Sequence, residues 1–273
     1  ANHGNYYPDK KEMPSSVIEL IPKNVTLIYW DYYHNDRKTY EDMLKAHKMT
    51  GNRIAFAGGA WKWSGFAPAN SASMLRNVYA LDACVKYGVQ EVLLTCWGDN
   101  GAECSIFATL PALVAAAERA YGNKKPDKAV ARVTGVALRD FMTLELPDAV
   151  REDRGKLRLT NLSKVFLYND LLSGIYDCIA QPAFKPFMAA SVKKIKSAAK
   201  RAGRYAYLFD TMGALADLVT DKYDFGVNVR KAYKAGDKET VKKLADSIPA
   251  LVKKLDKFYA AFKAQWERES RPW

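Results

Sequence analysis

Between Asn24 and Gly122 the chain alternates short apolar runs with longer segments whose apolar residues recur every three or four positions. "NVTLIYW" (24–30) is β-branched, aromatic and apolar on both faces, which predicts a parallel strand covered on each side. "TYEDMLKAHKMTG" (39–51) predicts a helix with Tyr40, Met43, Leu44 and His47 on one stripe and Gly51 as its stop. A second strand, "RIAFAGG" (53–59), follows, then a helix over 71–88 capped by Ser71 or Ser73, with Met74, Val78, Leu81 and Val85 as its buried stripe and Gly88 closing it. "QEVLLTCW" (90–97) is the third strand and "SIFATLPALVAAAERAYG" (105–122) the third helix. Such alternation implies a parallel sheet with right-handed crossovers, either open and doubly wound or part of a closed barrel. In both architectures a ligand sits beyond the C-terminal ends of the strands.

After Gly122 the rhythm changes. The polar breaker "NKKPDK" leads into a region that reads as mostly helical. Its last segment carries Val241, Leu244, Ile248, Leu251, Leu255, Phe258, Phe262 and Trp266 at helical spacing. Pro249 lies inside that pattern, where an interior proline costs about 3 kcal/mol, so a kink or a restart at Ser247 is expected.

Composition narrows the classes. The chain has 273 residues, 49% of them hydrophobic, enough for an ordinary globular core. No run approaches the roughly 20 apolar residues of a membrane span, and the polar start has no signal-peptide core, so no membrane partner is expected. Cys84, Cys96, Cys104 and Cys178 lack the paired spacing of a zinc site and the density of a disulfide scaffold. They read as reduced thiols, which favours a cytoplasmic compartment. With only His3, His34 and His47 besides, a soft-metal site is not expected. Residues 1–123 carry 12 basic and 12 acidic residues, so the whole net charge of +12 lies in 124–273. There the lysines fall on the polar faces of helices, and solvation rather than nucleic-acid binding is the reading of that charge.

The chemistry gathers where the three strands run out. The exits are "YWDYYHND", with Trp30, Asp31, Tyr32, Tyr33 and His34; "AGGAWKWSGFAP", with Trp61, Trp63 and Phe66; and "CWGDNGAE", with Trp97, Asp99 and Glu103. Four of the six tryptophans are here. Indole and phenol rings pack on the C–H faces of a pyranose while carboxylates accept from its hydroxyls, at roughly 1.5–3 kcal/mol per charged bond. Each residue also has a structural reading. Trp63 and Phe66 suit packing under the next helix, Asp31 suits capping a turn or pairing with Arg37, and Glu103 suits the helix dipole that follows it. Trp97 and Asp99 are harder to explain structurally, because Gly98 and Gly101 already supply a turn. No serine-hydrolase elbow, Walker loop or dinucleotide loop occurs.

"LIYWDYYH", "FAGGAWKWSGFAP" and above all "TCWGDNGAECSIFATLPAL" resemble the last three strand-and-loop units of glycoside hydrolase family 20, the β-N-acetylhexosaminidases. The closer likeness is to the bacterial subgroup whose barrel is followed by a helical domain. It covers residues 1–123 well, and "VFLYNDLLSGIYDC" extends it more loosely. The resemblance implies the last three β/α units of a (β/α)8 TIM barrel over 1–123 and an α-helical domain over 124–273. It implies an exo-acting enzyme in which the substrate's own acetamido group attacks the anomeric carbon, an exception to the two-carboxylate scheme. In that family an adjacent Asp-Glu pair on the fourth strand orients the acetamido group and protonates the leaving oxygen. No cofactor is implied.

Trp97 and Asp99 match the family's Trp and acid two residues later, with aspartate in place of glutamate. Trp30 and Trp61 match pocket walls, Tyr32 or Tyr33 suits the acetamido group, and Glu103 completes the substrate-binding set. Adjacent acids occur here only in inverted order, in "YEDM" and "RED". Residue 1 is therefore expected to fall after the fifth strand, with the catalytic pair upstream, and the expected partners are β-linked N-acetylhexosamine glycans and the missing half of the barrel. The alternative is a non-catalytic carbohydrate-binding or scaffold protein.

Overall fold

The computed structural model describes residues 14–151, 157–158 and 161–271, so His3 and the inverted pair Glu152–Asp153 lie outside the described residues. The chain divides into two compact units, 1–61 with 70–96 and 112–126, and 62–69 with 97–111 and 127–273.

The first unit holds α1 (Ser15–Leu20), β1 (Thr26–Trp30), α2 (Arg37–Lys48), β2 (Arg53–Gly59), α3 (Asn70–Tyr87), β3 (Glu91–Thr95) and most of α4 (Leu110–Ala120). The strands are parallel in the order β1-β2-β3, with Tyr29 opposite Phe56 and Phe56 opposite Val92. Tyr29 and Phe56 share a buried cluster with Tyr40 and Leu44 of α2 and Ala80, Ala83 and Cys84 of α3. Both crossing helices thus cover the same face of the sheet. Three rings meet there edge-on, Tyr29 at 5.7 Å and Tyr40 at 6.1 Å from Phe56.

Three expectations need correction. β1 is not covered on both faces: Ile28 and Trp30, and Leu93 in the matching row of β3, are 45%, 40% and 53% exposed. The side chains of one strand alternate between faces, and among the described residues α2 and α3 both pack on the face of Tyr29 and Phe56. α2 begins at Arg37 rather than at Thr39, because Asp36 caps it, its carboxylate accepting from Thr39 N at 2.8 Å. α3 buries Ser73, Arg76 and Asn77, whereas Val85 of the expected stripe is exposed. Ser73 does not cap the helix. Its hydroxyl accepts from Trp61 N at 2.8 Å, and Asn77 Nδ2 donates to Gly59 O at 3.2 Å, so α3 satisfies the backbone where β2 ends.

The second unit holds α5 (Asp127–Thr134), α6 (Leu138–Phe141), a short hairpin of β4 (Val150–Arg151) and β5 (Leu157–Arg158), α7 (Leu162–Tyr168), α8 (Phe184–Ala199), α9 (Ala206–Lys222), α10 (Phe225–Lys234) and α11 (Lys238–Glu269). α9 is the central helix, burying Leu208, Phe209, Met212, Leu215, Leu218 and Val219, and α8 and α11 pack against it. Of the two expected outcomes, a kink or a restart at Ser247, the restart does not occur: α11 is one helix with Pro249 inside it. The carbonyl that the proline leaves without a donor belongs to Ala245, in an exposed stretch open to solvent. Phe258 is buried as expected, while Ile248, Leu255 and Trp266 of the same stripe are exposed. The third predicted helix starts as a 3-10 turn, Ile106–Thr109, before α4, with the Ser105 hydroxyl accepting from Phe107 N at 3.1 Å.

Candidate functional site

In the first unit the chain leaves β1 through Asp31, which continues the sheet by donating from its backbone N to Ala57 O at 3.0 Å. Its carboxylate is 1% exposed and fully engaged. Tyr29 OH donates to Oδ2 at 2.5 Å, Tyr33 N donates to Oδ1 at 2.8 Å, and His34 Nδ1 lies 2.5 Å from Oδ2. Asp31 therefore organises the turn. Arg37, its other expected partner, pairs with Asp82 at 2.7 Å. The acid also fixes the His34 ring, and Tyr40 OH donates to His34 O at 3.0 Å. Burial, reinforced by the nearby Asp31 charge, pushes the Tyr40 phenol well above its ordinary pKa.

That turn presents two phenols to one indole. Tyr32 and Tyr33 meet Trp61 nearly at right angles, with ring centroids 6.0 and 5.2 Å away. The Arg76 guanidinium stands 5.2 Å over the same indole, and its Nε donates to Asn35 Oδ1 at 2.9 Å. Arg76 is 8% exposed and its Nη1 is buried without a protein partner. Desolvation lowers its pKa, while Tyr40, Asp31 and Tyr33 act in the opposite sense. Of the predicted residues, Tyr32, Tyr33 and Trp61 are thus brought together, and Trp30 lies on the exposed face of β1.

Trp97, Asp99 and Glu103 belong to the second unit. Trp97 and Asp99 are exposed, at a turn whose geometry is not the expected one. Gly98 has φ −112°, open to any residue, whereas Asn100, Gly101 and Ala102 have φ of 55°, 102° and 56°. Gly101 suits that φ, and a Cβ there would stand 2.8 Å from Glu103 Oε1 and displace that carboxylate. Lys62 Nζ donates to Trp97 O at 3.3 Å, and Asn100 Nδ2 to Trp63 O at 3.5 Å. Glu103 accepts from Lys164 Nζ at 2.5 Å, and Lys164 also donates to Asn100 O. Trp63 and Phe66 are buried, and Phe66 lies 5.4 Å from both Phe258 and Phe262.

Arg76, Lys62, Lys164 and Asp148 are residues that sequence reasoning missed. Asp148 is buried, accepts from Ser163 N at 2.7 Å, and has its pKa raised by desolvation to about 6. The only signal for the two lysines was a positive charge where most lysines are solvated. Buried thiols hold no nucleophile: desolvation raises Cys84 to about 12 and pushes Cys104 up as well. Among the described residues no three His, Cys, Asp or Glu side chains gather as a metal site requires, and no helix is long and apolar enough to cross a membrane.

The described residues form a mostly helical α/β protein with a small three-stranded parallel sheet. Residues 139–273 match the family described as Glycoside Hydrolase 20C C-terminal domain, a match that supports glycoside hydrolase family 20. The comparison with curated proteins returned no match.

Proposed function

We propose that this chain is part of an exo-acting β-N-acetylhexosaminidase that hydrolyses terminal, non-reducing β-linked GlcNAc or GalNAc by substrate-assisted, retaining catalysis. Residues 1–123 are the last three units of a (β/α)8 barrel and residues 124–273 its helical companion domain. The chain supplies sugar-binding residues, and the Asp-Glu pair comes from elsewhere in the enzyme.

The observation that carries this reading is the Tyr32–Tyr33–Trp61 cluster, set beyond the C-terminal ends of parallel strands and backed by Arg76. Such rings accept the apolar face of a sugar. The exposed second face of the sheet, with Ile28, Trp30 and Leu93, supports the barrel, because a barrel interior is lined by side chains that further strands enclose. The family match supports the chemistry at the level of a glycoside hydrolase. Trp61 and Trp97 stack on the terminal sugar in this reading, Asp99 accepts from its outer hydroxyls, and Tyr32 or Tyr33 reaches the acetamido group.

The test is kinetic. In the complete gene product, Asp99→Ala is expected to lower kcat/KM on a chromogenic β-linked N-acetylglucosaminide by at least about 10-fold, or about 1.4 kcal/mol of transition-state binding. Unchanged kinetics would remove Asp99 from the site. GlcNAc binding by calorimetry with no turnover from that same product would replace the enzyme by a carbohydrate-binding protein.

A further inference from the structure

We propose that Lys164, in the first turn of α7, is a positioning residue for Asp99, holding the 97–103 turn in a conformation its own residues disfavour. The inference rests on the sugar-binding reading of that side chain. Asn100 and Ala102 both have left-handed φ, with Gly101 between them. An L-residue pays roughly 1–2 kcal/mol there, and alanine lacks the short polar side chain that makes asparagine more tolerant. Two such residues flanking a glycine persist only where the surroundings over-determine them.

Lys164 supplies that constraint from a different part of the chain. Its ammonium donates to the Asn100 carbonyl and, at 2.5 Å, to the carboxylate of Glu103, 61 residues away in sequence, so one cation brackets all three left-handed positions. The pair is largely shielded, with side-chain exposures of 20% and 13%, and Glu103 Oε2 is buried without a protein partner. Without Lys164 the glutamate would hold an uncompensated, half-desolvated charge against Gly101, and the turn would relax away from it. Lysine suits the position because its ammonium has three donors, of which two serve the Asn100 carbonyl and the Glu103 carboxylate. Lys62, donating to Trp97 O, fixes the near end of the same turn. The exposed Asp99 sits between these two lysine contacts, so its aim is set by side chains remote in sequence.

A double-mutant cycle in the complete gene product separates positioning from bulk stability. Lys164→Met is expected to lower kcat/KM on the chromogenic glucosaminide about 10-fold, and to add less than about twofold once Asp99→Ala is present, because the residue acts through Asp99. Glu103→Gln, which keeps the size and an acceptor, is expected to give a smaller loss that Asp99→Ala also absorbs, and it carries the cycle if Lys164→Met does not fold. A loss that multiplies in full with Asp99→Ala overturns the positioning role. So do Lys164→Met kinetics within twofold of the parent while Asp99→Ala is impaired; either result leaves the sugar-binding reading standing. An Asp99→Ala enzyme with unchanged kinetics overturns both.

Discussion

The two acid-bearing corners of this chain, at Asp31 and at Asp99, are held in opposite ways. Asp31 is buried, and its partners Tyr29, Tyr33 and His34 lie within three residues of it. Asp99 is exposed, and the turn that carries it is tied by Lys62 and Lys164. A corner of the first kind draws its side-chain partners from the chain beside it. The second exists only after distant segments have docked, and it can be loosened without touching the strand before it. Buried acids organise backbone, whereas an exposed acid on a strained turn is free to meet a ligand.

The largest expected effect breaks the local corner. Asp31→Ala leaves the Tyr29 hydroxyl and the Tyr33 amide without their charged acceptor, so urea unfolding should report a loss of about 3 kcal/mol or more. A change below about 1 kcal/mol would mean that the corner is held by packing alone.

Next comes the acid buried in the helical unit. Burial raises Asp148 to about 6 from an ordinary 3.8, so the folded state keeps a proton that the unfolded chain has lost between those values. Stability from this group is full below about pH 4, falls as pH rises to about 6, and stays lower above that, by at most about 3 kcal/mol. Asp148→Asn should remove that part of the slope when unfolding is followed from pH 4 to pH 7. An unaltered slope would assign the pH dependence to other groups.

The smallest effect sharpens the strained corner. Ala102→Gly should stabilise the protein by about 0.5–1 kcal/mol, the relief of left-handed alanine less the added freedom of the unfolded chain. A loss of stability would show that Ala102 contributes packing that outweighs its strain.

Much of this architecture was legible beforehand. The alternation of apolar runs and helical stripes placed all three parallel strands, with β2 over the predicted residues, because pairing and burial follow local periodicity. The clustering of Trp61 with Tyr32 and Tyr33 was foreshadowed by their positions after consecutive strands. The inner face of α3 was not. Ser73, Arg76 and Asn77 are polar and so read as solvent-facing, yet they bond to or stack on the segment from Gly59 to Trp61, where the sheet ends and backbone groups need partners. The absence of a restart at Pro249 has a complementary reason: the proline's cost depends on whether the carbonyl it strands is open to solvent, and that is a matter of exposure.

By itself, then, the sequence determined the order of strands and helices in the first half, the helical character of the second, and the residues at each strand exit. The tertiary structure alone decided which helix face is buried, that one side of the sheet is left open, and that Glu103 and the turn before it are bound by Lys164. Those outcomes depend on groups brought together from dozens of residues apart, where desolvation and hydrogen-bond satisfaction decide the result and local periodicity carries no record of it.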